Sequence, residues 1–282
     1  MPRQSLFFYW VSKMCITLAD VVYVMIVTTH IYMTTKSATT TALFPLFGVI
    51  ASLIASISAP LIMNRFRSYS LLFTLQGIKT FLLIFLTVLF SLVSSNITAL
   101  LIFIILISLC GGWSSPLLYA VIPSLTSQEK LVKVNSVFSF STQIVQAAAY
   151  SFTSVVVLFI GATSTLIINN ILMILGCIAL YISLRTIQVE QTTEKSASKS
   201  ATLIEGWKLL FQQPSLLSKI YTAHGTLTSA VSGISMLSVG IITDMFGVRT
   251  IYIIAAFLIL CSACLSFILL KQTKQQEKDV SL

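Results

Sequence analysis

Acidic residues are scarce in this sequence: eight Asp and Glu stand among 282 residues, and all charged types together make up 9% of the chain. A soluble globule devotes about a quarter of its residues to charge. This chain therefore has too little polar surface to meet water on every side, and lipid must be its solvent. Histidine is scarcer still, at two, and no pair of acids stands with a histidine at metal-ligand spacing, so no metal site is expected. No P-loop is present to energise an ATP-driven pump, and no Ser or Cys nucleophile lies near a plausible base. The chain is not read as an enzyme, and it calls for no cofactor. The five cysteines, Cys15, Cys110, Cys177, Cys261 and Cys264, all lie in apolar stretches, and their odd number gives no disulfide framework. Cys261 and Cys264 form a C-x-x-C inside such a stretch, where small packing residues are the ordinary reading.

What the sequence has in abundance is apolar length, with 56% hydrophobic residues. A hydrocarbon core about 30 Å thick is crossed by about 20 helical residues. Eight stretches meet that requirement: about Leu6 to Tyr32, Thr41 to Met63, Tyr69 to Ser94, Thr98 to Ile122, Ser136 to Ile160, Thr163 to Leu184, Ala223 to Thr243 and Thr250 to Leu270. The expected fold class is an all-α polytopic integral membrane protein with about eight transmembrane helices. Lys13 and Asp20 interrupt the first run and no small-residue cleavage site closes it, so it is expected to be a retained span rather than a signal peptide.

The 17 Lys and Arg outnumber the acids, yet no aromatic-basic motif accompanies them and no nucleic-acid partner is expected. They sit in short loops between the apolar runs, the pattern that sets membrane orientation. With the N-terminus inside, thirteen fall on the cytoplasmic side, among them Arg65, Arg67, Lys130, Lys133 and Lys274; only Lys36 and Arg249 fall outside, and Lys13 and Lys79 lie within spans. Both termini are therefore expected in the cytoplasm of a multi-pass membrane protein. One long connection, Thr186 to Tyr221, starts with a Thr, Ser, Lys and Glu stretch that cannot bury a core. In its second half Ile204, Trp207, Leu210 and Phe211 recur at helical spacing before Pro214, which reads as a short helix on the inner membrane surface. The expected organisation is a six-helix unit over 1–185, a cytoplasmic linker over 186–221, two further helices over 222–270 and a tail over 271–282.

Asp20 is the only acid inside any expected span. A carboxylate near the midplane is costly unless paired or protonated, so it is a candidate for proton coupling, the alternative being a structural carboxylate hydrogen-bonded to neighbouring helices. Lys79, with Gln76 one turn before it, reaches a comparable depth on the third span and is the candidate charge partner; the competing reading is that Lys79 snorkels its ammonium towards polar groups. Lys13, near the inner edge of span one, is read as snorkelling. Trp113, Tyr119, Gln143, Gln146, Asn169 and Asn170 are either cavity-lining groups or interhelical hydrogen-bond partners. His30 reads as an interfacial residue or a proton relay.

Several local patterns resemble a known family. Ser12, Ala19 with Asp20, and Lys36 with Ser37 and Ala38 are similar to the first span of major facilitator exporters of the macrolide-efflux and enterobactin-exporter kind. More specific is Pro116, Ala120, Ile122, Pro123, Leu125, Glu129, Leu131 and Asn135, which matches the spacing of that family's loop between spans four and five. The superfamily signature G-x-x-x-D-R-x-x-R/K between spans two and three corresponds to Pro60, Asn64, Arg65 and Arg67, with the glycine and the acid both replaced. The resemblance implies a cytoplasmic gating loop at Asn64, Arg65 and Arg67, but Asn64 cannot hold the charge that latches the family's inner side. Glu205, Gly206 and Pro214 to Leu216 resemble the lead-in to the seventh span, whereas His224, Gly225, Gly240, Asp244, Phe246 and Gly247 resemble the passage into the twelfth. The resemblance thus implies a six-helix half plus two C-terminal helices, without spans equivalent to seven to ten. The implied function is proton-coupled efflux, by antiport, of a small amphipathic compound such as a drug, macrolide or siderophore. The alternative is a transport-inactive truncated or accessory membrane protein acting through a partner subunit, with oligomers or a complementing membrane subunit as its partners.

Overall fold

Inside a bilayer no water meets the peptide N–H and C=O groups, so each apolar run has to close its backbone hydrogen bonds within itself, which the α-helix does. The computed structural model describes residues 2–65, 68–94, 96–188, 216–258 and 260, and among them regular structure is helical throughout. The elements are α1 (Pro2–Thr35), α2 (Ala38–Arg65), α3 (Ser68–Val88), α4 (Phe90–Val93), α5 (Ile97–Ala120), α6 (Ile122–Leu125), α7 (Gln128–Ile160), α8 (Ala162–Gln188), α9 (Leu216–Phe246) and α10 (Val248–Leu258). Helix boundaries have local chemical causes. The Asn96 side chain accepts the Ala99 N–H at 3.2 Å and caps α5, and Pro123 occupies the first turn of α6, where its missing N–H costs nothing.

Among the described residues, six segments are long and apolar enough to cross a membrane: Gln4–Thr35, Ala38–Ala59, Tyr69–Val88, Ile97–Tyr119, Glu129–Ile160 and Ala162–Arg185. Of the last two expected spans, the seventh lies within the 31-residue helix α9 and the described part of the eighth is Val248–Leu258. The run from Tyr69 to Ser94 is not one helix, because Leu89 leaves helical geometry (φ −89°, ψ 2°) and separates α3 from α4. Helix α9 starts at Leu216, so it already runs through the end of the segment read as linker. The surface-helix candidate around Trp207, the pair Cys261 and Cys264, and the tail 271–282 lie outside the described residues.

Five helices close a ring in which α1 packs on α2, α2 on α5, α5 on α3, α3 on α8 and α8 back on α1; α7 is applied to the flank of α1 and α9 to the flank of α2. Small residues let these backbones approach, as expected where lipid gives helices no hydrophobic drive to associate. A Cβ on Gly112 of α5 would lie 2.6 Å from the Ala55 Cβ and 2.7 Å from the Ser52 carbonyl oxygen of α2. The outward faces carry Phe81, Val88, Phe152 and Phe159, all well exposed. Such a continuous apolar surface suits contact with acyl chains, not water.

The buried interior splits into two apolar clusters. One gathers Ile26, Leu83, Leu86, Leu100, Ile104 and Ile107 with their neighbours, and the other Tyr9, Leu72, Leu75, Leu117, Leu180 and Leu184. On α3 the residues between the clusters are Gln76, Lys79 and Thr80, and on α5 they include Ser108, Gly111, Gly112 and Ser114. The ring is thus apolar at both ends and polar in the middle.

Candidate functional site

The polar layer is built by three helices. Lys79 projects from α3 with 3% of its side chain exposed, and its Nζ lies 2.5 Å from Oδ1 of Asp20 on α1. Of the two readings of Lys79, the structure thus adopts pairing, and the ammonium does not snorkel away. The Asp20 side chain is 37% exposed, so one oxygen meets the lysine while the carboxylate also reaches open space. Gln76 is fully buried, but it turns to α5, donating its Nε2–H to Ser114 Oγ at 3.2 Å, and not to Asp20.

The open space is a cavity of about 410 Å³ between α1, α2, α3, α5 and α7. Asp20 and Lys79 share its wall with the hydroxyls of Ser52, Ser108, Ser115 and Tyr150. Tyr23 and Ser108 bring their hydroxyls to 3.5 Å, and Ser52 donates to the Ser108 carbonyl at 3.2 Å. The floor on α5 is Gly111 and Gly112, followed by Pro116 inside the helix. Pro116 has no N–H to give the Gly112 carbonyl, which adds an acceptor to this stretch of backbone. The site therefore offers one ion pair, several hydroxyls that both donate and accept, and a water-sized path to them, which suits binding of a small amphipathic molecule and exchange of a proton.

The other candidates from the sequence lie around this cavity and outside its lining. Trp113 donates its indole N–H to Ser58 Oγ at 2.9 Å, tying α5 to α2. Tyr119 is half exposed, and its ring centroid lies 3.5 Å from the Lys13 ammonium. Lys13 itself is only 5% exposed, so its charge rests on an aromatic face and not in solvent; the snorkelling expectation is corrected at this residue. Gln143 is exposed and Gln146 half-buried on α7. Asn170 donates to Thr87 Oγ1 at 2.7 Å, as an interhelical partner, while Asn169 faces a separate groove. His30 meets the Ser94 carbonyl at 3.2 Å and packs its ring against Phe90 near the end of α1. The side chains of Asn64, Arg65 and Arg67, the gating-loop candidates, lie outside the described residues. The cavity hydroxyls were not singled out from the sequence. Their signal was the spacing of Ser108, Gly111, Gly112 and Ser115 along one face of α5, small polar residues in an otherwise apolar helix.

A second carboxylate, noted in the sequence only as part of a family pattern, also takes a defined place. Asp244, at the end of α9, sits over the first turn of α2, where Ser37 Oγ donates to Oδ2 at 3.0 Å, the Ala38 N–H to Oδ1 at 2.8 Å and the Thr39 N–H to Oδ2 at 2.8 Å. A helix N-terminus presents unpaired N–H groups and a positive dipole end, so an acid from another helix caps it well.

Among the described residues, a ring of apolar helices with an ion pair and a cavity at its polar middle is the architecture of a polytopic membrane protein. Residues 5–237 match the Major Facilitator Superfamily model, and the chain belongs to that superfamily. It is 29% identical over 196 residues to the uncharacterized MFS-type transporter YfmI of Bacillus subtilis (strain 168), an overlap covering 69% of this chain and 48% of that protein. The chain thus spans about half the length of this curated relative. No solved structure matches it.

Proposed function

We propose that the chain works as a secondary exporter in shortened form, moving a small amphipathic compound of the drug, macrolide or siderophore type out of the cell in exchange for protons, with Asp20 as the coupling carboxylate. The observation that carries this reading is the Asp20–Lys79 pair, 2.5 Å apart at the wall of the cavity. Protonating Asp20 removes the charge that holds Lys79, and deprotonating it restores the pair. A group that changes charge where the dielectric is low biases the packing of the helices around it, which is what coupling requires. A cationic or donor-rich cargo in the cavity competes with the proton for the same carboxylate, the sign needed for exchange. In this reading residues 1–185 form the six-helix half that bears the site, 186–221 the cytoplasmic linker, 222–270 the two closing helices and 271–282 the tail. Both termini face the cytoplasm of a bacterial cell.

Inverted membrane vesicles containing the chain test the proposal, with ethidium as cargo and an imposed proton gradient as the drive. Wild type is expected to accumulate ethidium and Asp20→Asn to match empty vesicles. Equal accumulation by both removes Asp20 as the coupling group, and a wild type as silent as empty vesicles removes autonomous export of this cargo.

A further inference from the structure

The Lys79 ammonium reaches Asp20 from a turn of α3 that is itself pinned to its neighbours. Gln76 stands one turn before Lys79 and is fully buried, as Ser114 on α5 almost is. Gln76 donates its Nε2–H to Ser114 Oγ at 3.2 Å, and Ser114 donates in turn to the Gly111 carbonyl at 3.1 Å. Gly111 is also where the lysine tip lies, because a Cβ on it would stand 3.7 Å from Lys79 Nζ. On the other flank the Gln76 carbonyl accepts the Thr80 hydroxyl at 2.7 Å, and that hydroxyl lies 3.3 Å from Cys177 Sγ of α8. Two hydrogen bonds thus join the turn that bears the lysine to the residue its ammonium rests over.

Stability alone does not account for this amide. Its Oε1 has no hydrogen-bond partner, and a half-met amide in an apolar interior costs more than an aliphatic side chain of similar size. Its geometric effect is specific. A lysine stem is long and flexible, so where the ammonium rests depends on where the stem starts, and Gln76 fixes that start on α5. The other titratable side chains around the pair are Tyr23 of α1 and Tyr150 of α7, which line the cavity, with Cys110 of α5 and Cys177 of α8 near Lys79; α2 brings the Ser52 hydroxyl. Tyrosine and cysteine carry no charge in acid solution. Lys13, two turns earlier on α1, rests its charge on the Tyr119 ring. Among the described residues, Lys79 is therefore the charge that acts on Asp20.

We infer that Gln76 and Ser114 are positioning residues for the Asp20–Lys79 pair: their hydrogen bond holds the Lys79 turn on α5, keeps the ammonium against the carboxylate and so sets how acid the solution must be before Asp20 takes up a proton. The inference rests on the coupling role proposed for Asp20, and titrating the carboxyl directly lets the two fail separately.

Infrared spectroscopy of the full chain in lipid nanodiscs follows the protonated-carboxyl band that wild type shows and Asp20→Asn lacks. In Gln76→Leu a loosened ammonium holds the negative form less well. The midpoint of that band should rise by about 1 pH unit, a tenfold gain in proton affinity and part of the roughly 1–3 units that an adjacent opposite charge supplies. Lys79→Ala should raise it further, and adding Gln76→Leu to Lys79→Ala should move it no more, since the amide acts through the lysine. Ser114→Ala removes a single oxygen and should repeat the effect of Gln76→Leu; it is the test if the leucine variant does not fold. An unmoved midpoint in either folded variant overturns the inference and leaves the coupling reading standing, as does a midpoint that moves again on the Lys79→Ala background. If wild type shows no band that Asp20→Asn removes, the coupling reading falls and the inference falls with it.

Discussion

Asp20 and Asp244 are held by opposite means. Asp20 sits in the polar middle of the ring and is met by one lysine on a long flexible stem. Asp244 sits at the end of α9 and is met by a hydroxyl and two N–H groups fixed in the first turn of α2. Hydrogen bonds from Thr39, through its side chain and its backbone, and from the Ala38 N–H hold the Asp244 carboxyl at about 2, below its ordinary 3.8. Fixed donors make a carboxylate permanent, whereas a single mobile counter-charge leaves one that can be neutralised and released. The first arrangement suits a joint between helices, and the second suits a switch. Helix α2 belongs to both regions, packing on α5 beside the cavity and on α9 at Asp244.

The largest expected effect is at Asp20, the proposed coupling group. Asp20→Asn leaves a side chain of the same shape that cannot change charge, and proton-driven ethidium uptake into inverted vesicles is expected to fall to the level of empty vesicles. Uptake equal to wild type would place Asp20 with Asp244 as a structural acid and end the contrast.

Next comes a change on α5 where it packs against α2, the helix the two regions share. Gly112→Ala puts a Cβ within 2.7 Å of the α2 backbone at Ser52, and the strain should cost about 1–3 kcal/mol, as overpacking does. Gly77→Ala, where an added Cβ meets nothing within 4 Å, is the matched control, and thermal unfolding in detergent compares them. If Gly112→Ala melts like Gly77→Ala, α2 and α5 are not in the close contact that forms the cavity wall.

Removing the counter-charge alone is expected to cost about 2 kcal/mol in Lys79→Ala, less than the 3–5 kcal/mol for breaking a fully buried pair because Asp20 remains partly solvated. Adding Asp20→Asn to Lys79→Ala should restore much of the melting temperature without restoring uptake. A double variant as unstable as Lys79→Ala would show that packing, not charge, explains the loss.

The smallest effect belongs to the joint. Asp244→Asn keeps the shape and loses the charge, so a small drop in melting temperature is expected at neutral pH. The carboxyl is depressed in the folded chain, so its contribution is fully present above about 3.8 and is lost as pH falls towards about 2. The difference between variant and wild type should therefore stay flat from neutral pH down to roughly pH 5 and disappear towards pH 2. A difference that changes between pH 5 and 8 would point to another titrating group.

Much of the fold was legible because lipid imposes a simple rule: apolar runs of spanning length become helices, and six of them do so here at full length. Asp20 and Lys79 were legible as lone charges at matching depth, although depth alone could not decide between pairing and snorkelling. Lys13 was misjudged because the outcome depends on Tyr119, a residue more than a hundred positions away, supplying a ring under the ammonium. The Asp244 joint spans 207 positions to Ser37, and only the packing of α9 on α2 reveals it. Asn169 drew notice as a polar residue in a span. That it lacks every hydrogen-bond partner is a property of the assembled interior, visible only after α1, α7 and α8 are placed.

The account rests on proton and cargo competing for the Asp20 carboxylate that Lys79 meets. Ethidium fluorescence can follow binding to purified chain reconstituted in nanodiscs as the solution is acidified. Binding to wild type should weaken with added protons and binding to Asp20→Asn should show no such dependence; the same dependence in both would contradict a coupling role for this carboxylate.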